Sequence, residues 1–142
     1  MTTSSKMTSN KKIDVRIILS SLWIVRMLSS LQGDSTRLHD PVALNELISG
    51  ASGIEITNAM LLALSVLLAI PIAMSFLSLV LKSKANRWAN IGVGAFFVLF
   101  EIFFLITTYS SGPGYEIFWG LAYLVSAALV VVYAWKWPEQ EE

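Results

Sequence analysis

The chain contains no cysteine. Thiol nucleophiles, disulfides, covalent haem attachment and zinc–thiolate sites are therefore all excluded. It has one histidine, His39, so bis-histidine haem or metal centres cannot be built from this chain alone. Charge is scarce at 14% of 142 residues, well under the figure of about 25% usual for soluble domains. Ten basic residues balance ten acidic ones, which leaves no basic field for nucleic acid. Glycine-rich phosphate loops, nucleophile elbows and metalloprotease helices are missing. No cofactor or metal is expected, and no internal repeat of the kind that marks duplicated transporters is visible.

What is abundant is apolar sequence, 55% of the chain. The reading is an all-α integral membrane four-helix bundle, a single domain over residues 13–137. Its expected spans are 13–32, 58–81, 88–108 and 115–135, each long enough for a bilayer of about 30 Å. Residues 1–12 are polar and expected to be a disordered tail, and residues 138–142 an acidic one. The basic residues Lys11, Lys12 and Arg16 before an apolar run also fit a signal peptide, but Arg26 inside that run and the lack of a small-residue cleavage site favour a retained span.

The outer loop 33–57 is the one long connection. Asp40 and Pro41 followed by Gly50 read as cap, first position and stop of a short helix over 41–49. Leu44, Leu47 and Ile48 share one face, as in a helix lying on the membrane surface. Ser49–Gly53 reads as a flexible break, and Thr57 or Asn58 as the cap of the second span. Lys82–Arg87 reads as a tight basic turn, and Ser110–Gly114 as a breaker-rich loop. Basic residues gather before the first span and in Lys82–Arg87, so both termini are expected in the cytoplasm, with the plasma membrane as the default compartment. Trp88, Trp135 and Trp137 fall at the same boundary.

Two ionisable residues lie well inside spans, Arg26 in the first and Glu101 in the third. Each stands 13 residues beyond its expected span start, Ile13 or Trp88, which places both at about 20 Å depth at ~1.5 Å per residue. Intramembrane charges are costly unless paired, so an Arg26–Glu101 pair is expected inside the bundle. It reads as a structural lock on register, as the floor of an outward-facing ligand pocket, or as no pair at all if Arg26 snorkels. Pocket lining is expected from Trp23, Ser29 and Ser30 on the first span and Phe97, Phe104 and Thr108 on the third. Pro71 is expected to bend the second span and open space opposite the pair. Ser65, Ala69 and Ala73, like Ala122 and Ser126, form small-residue faces suited to close helix approach. His39 with Asp34, Asp40, Glu46 and Glu55 matches no metal-ligand spacing and reads as a solvated loop.

The segments Leu22-Trp-Ile-Val-Arg-Met27 and Lys84-Ala-Asn-Arg-Trp-Ala-Asn90 resemble small prokaryotic four-span proteins of unknown function, grouped loosely with DoxX-like membrane proteins. That resemblance implies a four-helix membrane bundle and carries over no catalytic residue. Length and span number are also similar to small multidrug transporters. Those hold their essential carboxylate in the first span, where this chain has Arg26, and the departure argues against proton-coupled export. The functional expectation is a non-enzymatic bundle that binds a small apolar or amphipathic ligand around Arg26 and Glu101, with the guanidinium orienting an anionic headgroup. Membrane lipids, a second copy of the chain or another membrane protein are the expected partners. The alternatives are a membrane enzyme acting on a lipid, sterol or quinone with Glu101 as acid or base, and a small oligomeric transporter or accessory subunit.

Overall fold

The computed structural model describes residues 13–50, 56–109 and 112–137. The two expected tails lie outside these residues, as do most of the Ser49–Gly53 break and part of the Ser110–Gly114 loop. Five helices are present and no strands among the described residues: α1 Val15–Leu38, α2 Pro41–Ser49, α3 Asn58–Val80, α4 Ser83–Thr108 and α5 Gly114–Trp135. All but α2 are long and apolar enough to cross a membrane. Their outward faces carry exposed Ile, Leu, Val and Phe side chains such as Leu62, Val66, Leu99, Phe103 and Ile106, the surface a bilayer demands.

Three of the five helix starts have a side-chain cap. Asp14 accepts from the Arg16 amide at the head of α1, and Thr57 accepts from the Met60 amide at the head of α3. Asp40 caps α2 through the Val42 amide, Pro41 takes its first position, and Gly50 ends it at φ 66°, the left-handed conformation that favours glycine. The short helix is thus where its cap and stop residues put it.

Two boundaries differ from expectation. α1 continues through Gly33 to Leu38 rather than ending near Gln32. Gly33 is not a breaker here: the Tyr123 hydroxyl and the Trp119 ring pack against its Cα, so a missing side chain serves helix contact. α4 begins at Ser83, which makes Ser83–Arg87 its first turn and leaves Leu81 and Lys82 as the connection. Buried Asn86 explains the tightness. Its Nδ2 donates to the Ser78 carbonyl at 2.6 Å, satisfying one of the acceptors that a helix end leaves open.

The bundle packs in the circular order α3, α1, α5, α4, while α3 and α4 meet only lightly away from their shared turn. The core is Leu19 and Trp23 of α1, Met74 of α3, Phe97 of α4, Ala127, Val130 and Ala134 of α5, and Trp137 just beyond it. The α4–α5 seam is closed by reciprocal glycines, Gly94 against Val130 and Val131 and Gly120 against Phe104 and Leu105. The expected Ser65–Ala69–Ala73 seam does not form. Those residues are exposed, and α3 buries Pro71, Met74 and Ser78 instead, because the apolar α3 surface has no strong periodicity to select a face. At the end where α1 starts, Arg16 donates to Ser83 Oγ at 2.9 Å and lies over the Trp137 ring.

Candidate functional site

Helical periodicity places one polar and aromatic stripe along α4: Ser83, Asn86, Asn90, Gly94, Phe97, Glu101 and Thr108, all buried. The matching stripe on α1 is Leu19, Trp23, Arg26 and Gly33. The two stripes face one another through two polar clusters.

The lower cluster is a closed network. Asn90 Oδ1 accepts from Trp23 Nε1 at 2.7 Å and from Ser78 Oγ at 3.2 Å. Its Nδ2 donates to the Asn86 carbonyl and to Asn86 Oδ1, at 2.9 and 2.7 Å. Both asparagines are fully buried. With every polar side-chain atom in it hydrogen-bonded, this cluster holds α1, α3 and α4 together. Trp23 is therefore a strut, not pocket lining.

The upper cluster is the expected pair. Arg26 Nη2 donates to Glu101 Oε1 at 2.5 Å, and Nη1 donates to the Tyr123 carbonyl at 3.2 Å. Arg26 and Glu101 are only 6% and 3% exposed. The guanidinium also covers the Phe97 ring at 4.1 Å, a cation–π contact strengthened by the dry setting. The two residues do not sit at equal height, however. Arg16–Ser83 and Trp23–Asn90 both define a register offset of 67, whereas the pair is separated by 75. Glu101 thus stands about 12 Å further along its helix than the level partner of Arg26, and two long side chains meet on a slant. Arg26 Nε is buried without a hydrogen-bond partner.

Above the pair lies a cavity of about 360 Å³, toward the smaller end of the ~300–1,000 Å³ range of ligand sites. Arg26 and Glu101 line its deep end, together with Ser30, Pro71, Phe97 and Phe104. Ser29 and Thr108 do not line it: Ser29 is half-buried beside it, and Thr108 packs beneath Gly112. Leu64, Leu68, Ile72 and Phe100 line the facing flanks of α3 and α4 and are all exposed, so the cavity opens sideways between those helices. Sequence reasoning missed the other end. Asp34, Arg37, Tyr115, Glu116, Trp119 and Tyr123 line the mouth. Asp34 and Arg37 continue the Arg26–Ser30 spacing by whole turns, a signal hidden by reading Gly33 as the end of the span. Arg37 Nε faces Glu116 Oε1 at 3.5 Å, and the Tyr115 hydroxyl donates to Asp40 Oδ2 at 2.9 Å. The Tyr115 bond and the Val42 amide hold the Asp40 carboxyl below its usual value.

Fold and site together define a multi-pass membrane bundle with a buried Arg–Glu pair beneath a laterally open cavity. The chain belongs to DUF6326, a family of unknown function, whose profile matches residues 8–142. No curated protein and no solved structure matches it.

Proposed function

We propose that this protein binds a small apolar or amphipathic molecule in the cavity above Arg26 and Glu101. One observation supports the reading most: a ~360 Å³ chamber with apolar walls, polar groups at both ends and a side opening toward the lipid-facing surface. Such a chamber admits a chain from the bilayer and orients its polar end. In this reading the protein sits in the plasma membrane with both termini in the cytoplasm, because Arg16, Lys82, Lys84 and Arg87 gather at one end of the bundle with Trp88, Trp135 and Trp137. The likeness of Leu22–Met27 and Lys84–Asn90 to DoxX-like four-span proteins belongs to the same proposal and adds architecture only. The test is mass spectrometry of molecules retained by the purified protein, compared with a cavity-filling Leu68→Trp variant. A stoichiometric apolar compound present in the parent and lost in the variant is expected. Equal retention by both, or none by either, overturns the reading.

A second reading, an enzyme acting on a lipid, sterol or quinone, draws on Glu101 and Asp34 sharing one open cavity. Glu101 is committed to Arg26, so Asp34 would be the working acid or base. Chemical change of a retained compound, abolished by Asp34→Asn, is the result that would favour it.

A further inference from the structure

The binding reading leaves the headgroup open, and the inference that follows rests on that reading. Five charged side chains line the cavity: Arg26, Asp34, Arg37, Glu101 and Glu116. Three are carboxylates and two are guanidinium groups. Glu101 takes Arg26 and Glu116 takes Arg37. Asp34 is the remainder. Among the described residues its carboxylate makes no ion pair and no hydrogen bond. Its nearest opposite charge is Arg37, one turn further along α1 and already turned to Glu116. Asp40, just outside the lining, adds another negative charge beside Tyr115.

An anion entering this chamber meets a surplus of like charge. The positive charge of Arg26 gives it little help, because Glu101 cancels that charge within hydrogen-bond distance. A cation meets Asp34. It also meets the Trp119 ring, which stacks with Tyr123 at 6.5 Å between centroids and leans with it on Gly33, the residue before Asp34, while the Tyr123 ring already lies 5.9 Å from the Arg26 guanidinium. Ring faces attract ammonium groups, quaternary ones above all. A bare calcium or magnesium ion is poorly matched, because apolar walls offer few of the six or more oxygens such ions require. Leu64, Leu68 and Phe100 suit an alkyl chain instead.

We infer that the cavity is a site for a cationic amphiphile, an ammonium head on an alkyl chain, with Asp34 as counter-ion beside Trp119 and Tyr123 and the chain lying between α3 and α4. The expectation of an anionic headgroup drawn by Arg26 is replaced by its opposite.

The test uses the full chain in nanodiscs of uncharged lipid. Three spin-labelled dodecyl probes of equal length are titrated, with trimethylammonium, hydroxyl or sulfate heads. The cationic probe is expected to bind about tenfold more tightly than the hydroxyl probe, the scale of a partly desolvated ion pair with aromatic support, and the sulfate probe most weakly. Asp34→Asn should lower the cationic probe to the hydroxyl level and leave the hydroxyl probe unchanged. Glu46→Gln, an equal charge change on α2 outside the lining, should alter neither. Equal affinity for cationic and anionic probes overturns the inference, as does an Asp34→Asn variant that keeps the cationic preference. If the hydroxyl probe binds saturably without a cationic advantage, the cavity reading survives and only the headgroup assignment fails. If no probe saturates in the parent or differs in Leu68→Trp, both fail. A two-chain trimethylammonium lipid in the disc separates the sources. Competition marks a bilayer lipid as the occupant, and its absence marks a free single-chain amphiphile; both outcomes support recognition of the cation.

Discussion

At the scale of single residues, the dominant fact is that Arg26 and Glu101 neutralise each other where neither would be tolerated alone. Removing one partner leaves an uncompensated charge in the bundle, so Arg26→Met or Glu101→Gln should each cost about 3–5 kcal/mol. The double variant should cost far less than the sum, read by unfolding in mixed micelles. Additive costs would show that the contact carries no coupling. Asn90 offers a second contrast. Asn90→Leu strands the Trp23 indole N–H in a fully buried position and should cost about 1–3 kcal/mol for that group. Trp23→Phe removes the donor but leaves Asn90 Oδ1 accepting from Ser78, so the hydrogen-bonding part of its cost should be smaller. Comparing both with Ser78→Ala separates the network from simple packing.

Among elements, α4 and α5 approach through glycines, and the approach is what closes that side of the bundle. A side chain at Gly94 would meet Val130 and Val131, and one at Gly120 would meet Phe104 and Leu105. Gly94→Leu should therefore destabilise by about 1–3 kcal/mol through overpacking. The same change at Gly92, which has open space around it, should be tolerated; equal loss at both sites would refute the seam. The link between α2 and α5 depends on acidity. Asp40 is held below its ordinary 3.8 by the Tyr115 hydroxyl and the Val42 amide. A depressed folded value means the stabilisation is fully present above about pH 4 and is lost as pH falls through the lowered value. Protection of α2 amides, corrected for intrinsic exchange, should be constant from neutrality to that point and then fall. The fall should vanish in Asp40→Asn, and flat protection throughout the acid range would remove the link.

For the whole molecule, the arrangement is a bundle with three tight seams and one loose one, between α3 and α4. The loose seam would be the entrance for a bound ligand, and the tight ones hold the pair and the asparagine network in place. Sidedness is accessible because the chain has no cysteine. Single cysteines at Lys84 and at Glu46 should react with an impermeant reagent from opposite faces of sealed vesicles. Labelling of both from the same face would break the four-span topology.

Sequence alone determined the number of spans, the short capped helix and the presence of a buried charge pair. Apolar runs, Asp40–Pro41 and Gly50 act locally, and lone charges in hydrocarbon are costly enough to demand one another. Part of the cavity lining was legible too: Ser30, Phe97 and Phe104 follow from helical spacing around Arg26 and Glu101. Tertiary structure decided the rest. Whether Gly33 breaks a helix or seats Tyr123 depends on which helix lies beside it, a matter of α1 and α5 packing rather than of neighbours in the chain. The mouth residues Asp34, Arg37 and Glu116 became one site only because α1 runs on past Gly33 and α5 stands against it. The 75-residue slant of the pair against a 67-residue register has the same origin, since side-chain reach and helix rotation are set by packing and leave no mark on hydropathy.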